Sequence, residues 1–163
     1  MLKDDSRESR LASIQAVGMV KALEALPQLS RIVTKSDYPD ERLAATMAIG
    51  FIGSPSSIPI LKELLEDEEP NIRWDAAIGL AKMGDKSSAP IIENLMDRDY
   101  LSSFPELDFK EVNKVIMIAI EASKMVQDKR FEPKLVSLAE TDESLKIRDA
   151  AMKTLKNSYN RII

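Results

Sequence analysis

A tandem repeat with a period of 31 residues constrains this chain more than any other feature. Sliding residues 40–67 forward by 31 positions onto 71–98 matches Arg42 with Arg73, Ala45 with Ala76, Gly53 with Gly84, Ser57 with Ser88, Pro59 with Pro90, Ile60 with Ile91 and Leu64 with Leu95. Apolar residues exchange for apolar ones at Met47/Ile78, Ile49/Leu80, Ile52/Met83, Leu61/Ile92 and Leu65/Met96, so the copies share a core pattern as well as letters. A unit of this length cannot bury its apolar face alone, and stacked neighbours must cover one another.

Further copies flank this pair. Residues 9–20 map onto 41–52 with an offset of 32, matching Arg10/Arg42, Leu11/Leu43, Ala12/Ala44, Ala16/Ala48 and Gly18/Gly50, and Pro27 then falls on Pro59. After 98 the period breaks at an insertion, residues 97–111, and resumes with helical spacing from 112 to 126 and with Pro133 on Pro90. Ile147-Arg148 repeats Ile72-Arg73 and opens a last half unit. The units are therefore 9–37, 40–68, 71–98, 112–141 and a half unit 145–160, in one domain spanning 1–163. At the start, Leu2-Lys3-Asp4-Asp5 parallels Leu65-Glu66-Asp67-Glu68, so the chain reads as opening on the tail of a repeat. Two explanations stand side by side: a piece of a longer protein, or a naturally truncated first repeat.

Within each unit the pattern predicts two helices. In the second, helix A covers 40–52 and helix B 57–66; in the third they cover 71–83 and 88–96. Gly53 and Gly84 suit the left-handed turn after helix A, serines in the turn are expected to cap helix B, and Pro59 and Pro90 fit the first turn of helix B, where no intrahelical N–H is needed. Lys21 stands where the first unit lacks that glycine. With one Trp, three Tyr and four Phe in 163 residues, Ala, Leu, Ile and Met must build the core, which favours closely packed helices over sheets.

An Arg followed by small residues at helical spacing, then Gly, an acidic or serine turn and a Pro-led second helix, as in Ile72-Arg73, Ala76-Ala77, Gly84-Asp85 and Pro90, resembles the short HEAT-like repeats of the phycobilisome-lyase type. The resemblance implies an all-α, right-handed α-solenoid of about four HEAT-like hairpins plus a terminal helix, with the B helices lining the concave side. The fourth unit departs from the pattern, with Ile116 or a neighbour in place of the Arg.

Arg10, Arg42, Arg73 and Arg148 recur once per unit, each five or six residues after acidic residues: Asp4/Asp5, Asp37, Asp67/Glu68 and Asp142/Glu143. They are expected to pin each inter-repeat turn by an Arg–carboxylate contact rather than to form a phosphate ladder. Trp74 replaces Leu11 and Leu43 and is expected to pack between repeats, with ligand stacking as the alternative. Helix B carries three polar columns: Ser30/Lys62/Glu93/Val136, Arg31/Glu63/Asn94/Ser137 and Thr34/Glu66/Asp97/Glu140. The last is acidic over three successive units and would prefer a basic or mixed-charge protein surface, unless the columns are simply a solvated helix face. The insertion concentrates Tyr100, Phe104 and Phe109. It is expected either to bind, since aromatics anchor interfaces and long loops carry function, or to fold Phe104, Leu107 and Phe109 back onto the core, leaving Tyr100 the more exposed.

Charge and composition bear on function. Lys and Arg total 23 against 27 Asp and Glu, a formal charge of −4, which disfavours gripping nucleic acid. The chain has no Cys and no His, so thiolate chemistry, disulfides, the commonest acid–base group and the commonest metal ligand are missing. The family resemblance brings chromophore handling to mind, yet no Cys or His is present to hold or attack a bilin, and HEAT-like deoxyhypusine hydroxylases need histidine for their iron. HEAT-like DNA glycosylases use a basic concave face, which the acidic column opposes. Carboxylate-only chemistry stays open, although nothing in the spacing converges two carboxylates in a pocket. No apolar run near 18 residues and no signal-peptide pattern is present. The expected protein is a cytoplasmic, non-catalytic scaffold (periplasmic or exported if this is a piece of a longer chain) without cofactor or metal that binds another protein through the B-helix face and residues 97–111, or else a regulatory or chaperone-like subunit of an enzyme complex; its oligomeric state stays open.

Overall fold

A computed structural model describes residues 6–161. The parallel drawn at Leu2 to Asp5, and with it the pairing of Asp4/Asp5 with Arg10, lies outside the described residues. Within them the chain forms ten α-helices and no strand: α1 (Arg7–Met19), α2 (Leu26–Lys35), α3 (Pro39–Ile52), α4 (Ser57–Glu63), α5 (Pro70–Lys82), α6 (Ala89–Leu95), α7 (Arg98–Ser102), α8 (Phe109–Val126), α9 (Phe131–Thr141) and α10 (Leu145–Ser158). Two compact units result, Met1–Asp85 and Lys86–Ile163, and the division falls at the turn inside the third repeat.

In the first unit the A helices α1, α3 and α5 pack in succession, with α2 against α3 and α4 against α5. Their approach is set by glycine. A Cβ on Gly18 would sit 2.7 Å from the Ala48 Cα, and one repeat later a Cβ on Gly79 would sit 3.0 Å from the Gly50 Cα. The repeat thus copies a contact and not only a helix. Small residues let α3 and α5 be buried around much of their circumference: Ala44, Ala45, Ala48 and Ile49 on one, Ile72, Ala76, Ala77 and Leu80 on the other. Trp74 is also buried.

In the second unit α8 packs against α6, α7 and α10, and α9 packs against α10. Leu95, Leu101, Ile116, Phe131, Leu135, Ile147 and Leu155 are among its fully buried side chains of larger size.

The A helices end alike. Gly53 (φ 61°) and Gly84 (φ 72°) take the left-handed conformation expected of them, and so do Lys21 (φ 53°), Gln127 (φ 48°) and Asn160 (φ 52°) without the freedom of glycine. The geometry of the repeat is therefore kept where its signature residue is lost.

Four expectations need correction. Helix B of the second repeat is α-helical only to Glu63 and closes with a 3-10 turn over Leu64–Glu66, while that of the third repeat begins with a 3-10 turn over Lys86–Ser88. No serine side chain caps α4: Ser54 Oγ instead accepts from the Ser56 N–H, and the Ser57 hydroxyl is buried without a partner. The insertion is not one long loop. The Asp97 carboxylate accepts from the amides of Asp99 and Tyr100 and starts α7, and a reciprocal capping box between Asp108 and Glu111 starts α8 at Phe109. Only 103–108 lie between the two helices. Finally, Phe109 and not Tyr100 is the exposed aromatic: Phe109 is 56% exposed, whereas Tyr100 and Phe104 are half-buried and meet edge to face at 5.3 Å. Phe109 is the first residue of α8, a turn ahead of the first buried position, Val112.

Candidate functional site

Arg42, Arg73 and Arg148 act at the turns, but not by the pairing that spacing implied. Arg73 donates to the backbone carbonyls of Asp67 (2.6 Å) and Glu68 (3.0 Å), and Arg148 donates to the Asp142 carbonyl. The carboxylates face the other way. Asp67 takes Arg42, whose Nε also donates to the Val33 carbonyl at 2.9 Å, and Glu41 takes Arg10 at 2.8 Å and the Ser36 hydroxyl at 2.9 Å. The reason is local: the Asp67 and Asp142 side chains fold back to accept from Glu69 N (3.0 Å) and Ser144 N (2.9 Å), which turns them from the arginine five or six residues on.

The Asp67 and Asp142 turns are therefore each gripped twice, once at a carbonyl and once at a carboxylate. In the second unit the hand on the carboxylate is Arg98, from the insertion. It reaches Asp142 through Nε–Oδ2 (3.1 Å) and Nη2–Oδ1 (2.9 Å), donates to Asn113 Oδ1 at 2.8 Å, and lies over the Phe109 ring at 5.2 Å. The Asp142 side chain is only 2% exposed. Arg98 does for this turn what Arg42 does for Asp67, so the arginine missing from the fourth repeat sits in the insertion rather than at Ile116. A second tie runs from the Asp97 carboxylate to the Lys134 ammonium of α9. That bond, more than the Tyr100 and Asp99 amides, holds Asp97 below the usual carboxylate range.

These ties fix α7 beside α9 and leave two clefts that share a wall. One, of about 250 Å³, lies among Asp97, Arg98 and Asp99 at the start of α7, Lys134 and Ser137 on α9, and Asp142 and Glu143 in the turn beyond. The other, of about 260 Å³, is lined by Phe104, Pro105, Leu107, Phe109 and Val112 and again by Arg98 and Glu143. Asp97, Ser137 and Phe104 were singled out from sequence and meet here, with Tyr100 behind Phe104. Arg98, Asp99, Lys134, Asp142 and Glu143 were missed as site residues. The signal for Arg98 was present: Asp142-Glu143 repeats Asp67-Glu68 and needs a guanidinium partner of its own.

The other named residues do not line these clefts. Arg31 is exposed on α2, and Glu63 and Glu66 are exposed at the end of helix B in the second repeat. Lys62 pairs with Asp85 at 2.9 Å. Glu93 is half-buried and Asn94 exposed on α6, and Glu140 is exposed on α9. Among the described residues no group of three or more acidic side chains is arranged to hold a metal ion, and no helix is long and apolar enough to cross a membrane.

The stacked hairpins, their left-handed stops and their doubly gripped turns define an all-α HEAT-like repeat protein, and residues 32–102 match the family model for HEAT repeats. Among solved structures the chain is similar to a chain in the complex of CpcE and CpcF of phycocyanin lyase from Nostoc sp. PCC7120, with a TM-score of 0.72 at 19% identity over 98% of its own length. It spans 63% of that chain, and at this identity the likeness is one of fold. No curated protein matches it in sequence.

Proposed function

We propose that this is a non-catalytic protein-interaction scaffold that holds its partner where the insertion meets helix α9. One observation carries the reading: the insertion, the element that breaks the repeat, is tied by Arg98–Asp142 and Lys134–Asp97 to a B helix and the turn after it. A loop that merely patched the core would need neither tie. Preorganised surfaces bind with less ordering penalty, and the polar B-helix face at Ser137 and the aromatics of the insertion become parts of one surface. The overall acidic charge favours a basic or mixed-charge protein over nucleic acid.

The similar solved structure is a complex of CpcE with CpcF of phycocyanin lyase, which favours a second reading, in which the partner is an enzyme subunit that this chain positions or protects. Capture of partners from the native cell extract tests both. Tagged chain carrying Phe104→Ala with Ser137→Arg should lose the partner that unaltered chain retains. Equal recovery by the altered and unaltered chains would refute the site. An enzyme activity in the captured fraction that depends on this chain would select the second reading.

A further inference from the structure

We infer that the two clefts beside Arg98 receive a short segment of a partner protein bearing a Lys or Arg next to a large apolar side chain. This rests on the scaffold reading and gives the chemistry of what that surface binds.

Size comes first. At about 250 and 260 Å³ each cleft falls below the usual range for a cofactor or drug-sized ligand, and each suits a single side chain. Charge separates the two. Around the first cleft stand four carboxylates, Asp97, Asp99, Asp142 and Glu143, against two cations, Arg98 and Lys134. Both cations are consumed, Arg98 mainly by Asp142 and Lys134 by Asp97. Asp99 has no ion pair among those formed by the described residues, and Glu143, 65% exposed, reaches Arg98 only at 3.7 Å. The first cleft thus presents uncompensated negative charge, and a nucleic-acid phosphate or an acidic peptide would be repelled.

The second cleft has an apolar side. Phe104, Pro105, Leu107 and Val112 form that side, facing Arg98, Ser102 and Glu143, and Phe109 lies at its margin with over half its surface in water. An exposed aromatic beside a concave apolar surface is the arrangement of an interface anchor. Arg98 and Glu143 belong to both clefts, so the side chains they take must be neighbours, within about four residues of each other in a helical or extended segment.

The test pans a random peptide library displayed on phage against the full chain, then measures an enriched peptide by fluorescence anisotropy. Enriched sequences should pair Lys or Arg with Leu, Met, Phe or Trp within that spacing, and their binding should weaken as salt rises. The double variant Asp99→Asn, Glu143→Gln keeps shape and removes charge; it should weaken binding about fivefold. Phe109→Ala should weaken it about tenfold. Thermal melts of the variants check that the fold is kept.

Enrichment of acidic or uncharged sequences, no enrichment, or affinity unmoved by either variant would overturn the inference. A dimer of the chain alone that the same substitutions dissolve would assign the clefts to a second copy and overturn it as well. These failures are separable from failure of the scaffold reading. If Phe104→Ala with Ser137→Arg still abolishes capture of the native partner, the site stands and only the basic–apolar chemistry falls.

Discussion

Replacing Arg98 by Met removes the guanidinium that grips the last acidic turn while keeping a flexible apolar stem in its place. The Asp142 carboxylate, 2% exposed, would retain the Ser144 amide at 2.9 Å and lose both arms of the Arg98 fork. Taking one partner from a buried pair costs about 3 to 5 kcal/mol, because the remaining charge is left without compensation. Arg98 itself is 17% exposed, so water reaches that side and the low end applies, about 3 kcal/mol. For a chain of this size that is a fall in Tm of roughly 6 to 12 °C. Urea unfolding followed by far-ultraviolet circular dichroism reads the free energy, and hydrogen exchange reads whether α7 opens first. The control is Arg7→Met, whose pair with Asp40 is 57% and 36% exposed and should contribute under about 1 kcal/mol. Asp142→Asn added to Arg98→Met should recover part of the loss, since a neutral amide does not need the guanidinium. If Arg98→Met costs no more than Arg7→Met, the fork is an ordinary surface pair and the insertion is not pinned by it.

Three further outcomes follow from the packing and the charges. Gly18→Ala drives a Cβ to 2.7 Å from the Ala48 backbone and should destabilise the chain by about 1 to 2 kcal/mol in urea unfolding, despite the helix propensity gained. Gln127→Gly relieves a left-handed residue at the end of α8 (φ 48°) and should raise stability by about 1 kcal/mol, read as a higher melting temperature. Burial pushes the Asp75 carboxyl up to about 6, partly offset by Lys82, so the folded state holds its proton more tightly than the unfolded chain. Stability at this group should therefore rise as pH falls through 6 and level off in the usual carboxylate range, and Asp75→Asn should gain up to about 3 kcal/mol at pH 7 and nothing near pH 3.

The fold was legible because a repeat writes its packing several times over. Gly53, Gly84, Pro59, Pro90 and the small residues of helix A each answer a backbone or contact requirement that recurs, so a coincidence at one copy is corrected by the next. Lys21 and Gln127 show why the pattern fades where it does: neighbours hold the left-handed turn even when the residue there does not favour it. The site was less legible for a related reason. Spacing pairs Arg73 with Asp67 and Glu68, but the direction of a side chain decides between carbonyl and carboxylate, and that direction depends on the Asx turns at Asp67 and Asp142. Arg98 escaped because the repeated Asp142-Glu143 calls for a guanidinium without saying where it stands, and the one that answers lies 44 residues away. Phe109 escaped because the capping box at Asp108 moves the start of α8 forward and carries its ring past the core.

Hydrogen exchange of the chain, free and bound to the protein it captures from its own cell, tests most directly that the insertion and α9 form one docking surface. Protection on binding is expected at 98–109 and at 134–143 together. Protection confined to 6–85, or at only one of those two segments, would contradict a shared surface.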